Sequence, residues 1–107
     1  MNDPSDTEDV AIALTVTDAN AVPMASLGTL YRITGRSKGE LARAIRAGDT
    51  LYAAHLFGSD HLQVVPRLEK VIAHLDAVGA PFTLYEQVGA QRSAISRETL
   101  RGILEGA

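Results

Sequence analysis

Cysteine is absent from this chain, and so is tryptophan. The first absence removes disulfides, thiolate metal sites, thiol redox chemistry and a cysteine nucleophile together, and it fits a reducing compartment. Aromatic residues make up only 5% of the chain, so the core has to come from Ala, Val, Ile and Leu. No apolar run approaches the ~20 residues that a bilayer-spanning helix needs. The opening MNDPSDTED has neither the basic start nor the apolar stretch of a signal peptide, and the expected location is cytoplasmic.

What is present fits one domain. A chain of 107 residues with 46% hydrophobic content can bury a single core. Asp3, Asp6, Glu8 and Asp9 carry four negative charges, more than the whole net charge of −3. The remainder is therefore close to neutral, which argues against a dedicated nucleic-acid binder, whose surface is clearly basic. Residues 1–9 read as a disordered acidic tail, followed by a single α/β domain over 10–107.

In VAIALTVT (10–17), Val10, Ile12, Leu14 and Val16 alternate with Ala and Thr, the period of a strand. The stretch 18–23 has turn chemistry. Met24, Leu27, Leu30 and Tyr31 have helical spacing. Gly28 weakens that helix by about 1 kcal/mol, with a strand as the competing reading and Gly35 as the natural stop. Ser37 and Glu40 form a capping box for a second helix, with an apolar stripe of Leu41, Ala44 and Ile45 and an end at Gly48. LYAAHLF (51–57) reads as a strand and Gly58-Ser59-Asp60 as a turn. Val65, Leu68, Val71, Ile72, Leu75 and Val78 give a long helix, covering most of 60–78, one apolar face. Pro66 places its regular part from about Val65, and Gly79 stops it. PFTLYEQ (81–87) reads as a third strand, residues 88–93 as a loop, and Ser96 as the cap of a last helix with Ile95 and Leu100 as a hydrophobic staple. The order β-α-α-β-α-β plus a C-terminal helix predicts a two-layer α/β sandwich.

The step Leu30-Tyr31-Arg32-Ile33-Thr34-Gly35, the capped helix after it, and the ending Leu75-Asp76-Ala77-Val78-Gly79-Ala80 before a closing strand resemble the C-terminal domain of the bacterial ribosomal stalk protein. The same fold carries the ClpS adaptors, and Pro23-Met24 and Gly35-Arg36-Ser37 are similar to their "PM" and "GKS" steps. The resemblance covers 10–87 and implies a ClpS-like or stalk-like fold, a helical hairpin used for protein contacts, and a part in translation or proteolysis. The stalk domain's basic contact positions fall on Pro23, Gly28 and Tyr31 here, and of the ClpS site only Met24 aligns. The final helix is an addition to both patterns. A Cro-type helix-turn-helix would need LYAAHLF as a recognition helix, a segment without Arg or Lys. A glutaredoxin-like order lacks the cysteines that chemistry requires.

Catalytic patterns do not emerge. His55, His61 and His74 lack metal-ligand spacing. Ser37, Ser59 and Ser96 have capping or turn roles, and Ser26 and Ser93 lack the nucleophile-elbow context. Glycines 35, 39, 48 and 58 are scattered and form no phosphate loop. Glu69, Asp76 and Glu86 do not pair. The remaining feature is a run of basic residues, Arg32, Arg36, Lys38, Arg43 and Arg46, interrupted by Glu40. Such a run either solvates a helical surface or meets an acidic partner. The expectation is a non-enzymatic protein-interaction module with no cofactor or metal, whose contact residues are Met24, Arg32, Arg36, Lys38, Arg43 and Arg46. The alternative is a small inhibitor or immunity-type protein that masks a toxin or nuclease surface. The expected partner is another protein, with no membrane and no nucleic acid. A homodimer through an open sheet edge is also expected.

Overall fold

The computed structural model describes residues 10–55 and 61–106, with side chains over 10–55 and 65–105. The acidic tail 1–9, the end of the expected strand at Leu56-Phe57, the turn Gly58-Ser59-Asp60 and the His61 side chain lie outside the described residues.

The elements run β1 (Val10–Val16), α1 (Ser26–Thr34), α2 (Lys38–Ala47), β2 (Thr50–His55), α3 (His61–Val78), β3 (Phe82–Val88), β4 (Gln91–Ile95) and α4 (Arg97–Gly106), with one 3-10 turn at Ala19–Ala21. They form a four-stranded antiparallel sheet in the order β2-β1-β3-β4. Ile12, Leu14 and Val16 of β1 meet Leu84 of β3 and Leu30, Leu41, Ile45, Leu68, Val71, Leu75 and Leu100 of the helices in one core. All four helices thus cover the same face. The largest fully buried side chains are aliphatic throughout, each worth ~1.5–3 kcal/mol of burial.

The sheet has one more strand than expected. The segment read as a loop pairs with β3 from Val88↔Gln91 to Leu84↔Ile95. The hairpin turns on Gly89, whose φ of 57° is the positive value that a two-residue turn with glycine in first position demands. Gln91 through Ala94 are exposed, so β4 shows no apolar alternation. α3 runs His61–Val78, within the expected 60–78, but it is regular ahead of Val65 and holds Pro66 inside it. Pro66 forgoes one helical N–H bond, and the rest of the helix outweighs that loss. The first helix starts at Ser26, two residues after Met24, which lies in the turn before it.

Helix ends follow the sequence signals. Thr34 donates to the Leu30 carbonyl (2.8 Å) and accepts the Arg36 N–H (3.1 Å). Gly35, at φ 78°, turns the chain into α2. The Ser37–Glu40 box is made in both directions, at 3.1 and 3.2 Å. α2 and α3 end alike: Asp49 and Gly48 N–H groups donate to Ala44 and Ile45 carbonyls, and Ala80 and Gly79 to Leu75 and Asp76. This is the Schellman arrangement. The Gly-containing steps that carry the family resemblance are thus general helix stops as well.

Beyond its helix-covered face, the sheet has a second face carried by Ala11, Ala13 and Thr15. There Arg92 lies over the Tyr85 ring at 4.1 Å. It reaches on to Thr15 Oγ1 (3.2 Å) and Thr50 Oγ1 (3.4 Å). One side chain from edge strand β4 thus ties across to the far edge.

Candidate interaction site

The α1–α2 hairpin does not present its basic residues as one surface. Arg36, in the linker between the helices, donates from Nη1 to the carbonyls of Thr50 and Leu51, both at 2.9 Å. Here β1 pairing skips from Tyr52 to Thr50, leaving an irregular strand start whose carbonyls need donors. Arg36 supplies them. It serves the fold, and its charge is committed to β2.

Arg32 and Lys38 converge elsewhere. Arg32 Nη1 and Lys38 Cε each lie 3.9 Å from the place a Cβ would take on Gly28. Arg32 also approaches Thr29 Oγ1 at 3.4 Å. The missing side chain at Gly28 makes room for both. Arg43 borders a polar cleft of about 260 Å³ with Arg36, Glu40, Asp49 and Thr50. Two acids there face two bases, so the cleft has no excess charge for an anion.

Met24 and Arg46 are the expected contact residues that line an apolar groove. They flank a groove of about 370 Å³ whose walls include Val22, Pro23, Leu27 and Ile45. Met24 is 85% exposed. Tyr31, one helical turn beyond Leu27, is 49% exposed. These two are the exposed large hydrophobic side chains among the described residues, and both belong to the hairpin region. Arg43 and Arg46 share a shallow hollow with Ala47 beside the groove. Sequence spacing groups five bases; in the fold Arg46 lines the apolar groove and Arg43 lies beside Arg46.

Electrostatic perturbation is confined to structural positions. The Ser37 backbone N–H, followed by its hydroxyl, holds the Glu40 carboxyl below its ordinary 4.5. Burial pushes the Tyr52 phenol above 10.0, with Arg67 pulling the other way. Hydrogen bonding to Asp76 raises Arg97. Arg97 also lies over the Phe82 ring at 4.8 Å, so the Asp76–Arg97 ion pair fastens α4 to α3 and β3.

The sequence missed one contact between chemistry-bearing residues. His74 Nε2 lies 2.8 Å from Ser26 Oγ, joining α3 to α1. The pairing has the elements of a base and a nucleophile. Ser26, however, is only 3% exposed, so its hydroxyl is shielded from solvent and the contact ties two helices together. Residues 48 positions apart leave no local signal for it. Among the described residues, no three of His, Cys, Asp and Glu gather as metal ligands, and no buried side-chain polar atom lacks a partner. No helix among them is long and apolar enough to cross a membrane.

No protein-family model matches the chain, and comparison with curated proteins and with solved structures finds no match. The groove is therefore interpreted from its own chemistry.

Proposed function

We propose that this chain is a non-enzymatic protein-interaction module. Its α1–α2 groove takes an apolar side chain from a partner segment whose acidic flank meets Arg46 and Arg43. The observation that carries this reading is Met24, held 85% in solvent at the rim of an apolar groove. A large apolar side chain clustered with others at the surface marks an interaction site, and an unbranched thioether adapts to varied partner shapes. The bases at the margin add electrostatic selection for acidic sequence. The resemblance to the stalk domain, which contacts proteins through this hairpin, and to the ClpS adaptors adds a partner class: components of translation or proteolysis machinery, with this chain as adaptor or regulator in the cytoplasm.

The test is quantitative affinity capture from source-cell lysate with wild type, Met24→Glu, Arg46→Glu and Lys38→Glu chains. The expected result is an interactor lost with the first two variants and retained with the third, because Lys38 lies over Gly28 and away from the groove. An interactor captured equally by all four would contradict the groove reading and favour the inhibitor-type alternative, with contact through another surface.

A further inference from the structure

The two edges of the sheet are unlike. At β2 the Arg36 guanidinium already occupies the carbonyls of Thr50 and Leu51. β4 has β3 on one side and, among the described residues, no strand on the other. The two-residue turn Gly89-Ala90 makes Val88 and Gln91 a hydrogen-bonded pair. Alternation then gives Ser93 and Ile95 the bonds to β3 and turns the backbone N–H and C=O groups of Arg92 and Ala94 outward. Natural edges are blunted by proline, bulges or projecting charge. The register of β4 against β3 is unbroken, its sequence QRSAI has no proline, and the Arg92 side chain lies back over its own sheet.

We infer that a second copy of this chain pairs with this edge, β4 against β4, antiparallel about a two-fold axis at Ser93, to make a continuous eight-stranded sheet. The axis sets Arg92 of each copy opposite Ala94 of the other, so the strand's only charge meets a small neutral residue. The outward groups of those two residues exchange four backbone bonds across the seam. α4 leaves β4 after the single residue Ser96, so the same axis brings two α4 helices together, antiparallel, in the helix layer. The pairing does not rest on the hairpin reading: α2 packs over β2 and β1, at the opposite side of the sheet.

Sedimentation velocity of the full chain over a concentration series tests this. The expected mass rises from 11.4 kDa toward twice that value. Ala94→Pro removes an outward N–H and no bond to β3, and should raise the dissociation constant by about tenfold or more. The chain has no cysteine, so Ser93→Cys should form a disulfide between copies under mild oxidation, because the axis makes the two residues a close non-hydrogen-bonded pair, while Gln91→Cys should not. Circular dichroism checks that Ala94→Pro remains folded; where it does not, the two cysteine variants decide alone. A chain that stays at one copy throughout overturns the inference, as does a dimer whose affinity is unchanged in Ala94→Pro and that Ser93→Cys does not crosslink.

Discussion

Arg36 stands in the middle of a run of basic residues, yet its guanidinium is spent on two carbonyls of β2. Hydrogen bonds from a charged donor to buried backbone are worth more than surface ion pairs. Arg36→Ala should therefore destabilise the fold by ~2 kcal/mol in chemical denaturation, while Arg32→Ala, at an exposed helical site, should stay within about 0.5 kcal/mol. Arg36→Lys should recover only part of the loss, because an ammonium lacks the planar fork. Tyr52 supports a second residue-scale prediction. Burial raises its phenol above 10.0 in the folded chain, so the folded state favours the neutral form. That stability is complete below the unfolded value and disappears as pH rises through the folded one. Wild type should lose stability in this alkaline window, and Tyr52→Phe should lose less. Equal losses would show that Tyr52 is not the titrating group.

Among the elements, α2 is the one whose boundaries the sequence announces most fully. Ser37 and Glu40 satisfy each other's backbone donors at its start, and Gly48 accepts the left-handed turn at its end. Ser37→Ala should cost about 1 kcal/mol by thermal or urea unfolding. The Glu40 carboxyl, held low by the Ser37 N–H, stabilises the fold above its unfolded value, and this contribution fades as pH falls through the folded one. Glu40→Gln should therefore flatten the acid limb of the stability profile. β4 is the opposite case. Its cross-strand bonds give it structure, but four of its five side chains face solvent, so there was no buried face to set a period and the segment looked like loop. Pro66 misled in another way. The local penalty of a proline points to a helix that is regular only from about Val65, while α3 is helical from His61 to Val78.

On the scale of the whole molecule, β1, β2, β3 and the four helices were legible because each buries one regular face in a shared core. The contacts that organise the surface were not. Arg36 to β2, His74 to Ser26 and Arg92 across the sheet each join residues far apart in the chain, and only the tertiary fold brings them together. The site was half legible for the same reason. Met24 and the bases stand out in the sequence, but the hairpin's turn and the gap at Gly28 sort those bases into separate places. What remains at the groove is Met24 with Arg46 and Arg43, on the β2 side of the sheet, while α4 and the free β4 edge lie at the other. The central claim is that this groove contacts another protein. Its most direct test is site-specific photo-crosslinking in source cells, with a photoreactive residue at position 24 in one chain and at position 87, on the other face of the sheet, in a second. The account predicts one discrete crosslinked partner from position 24 that is absent from position 87. The same partner from both positions, or from position 87 alone, would contradict it.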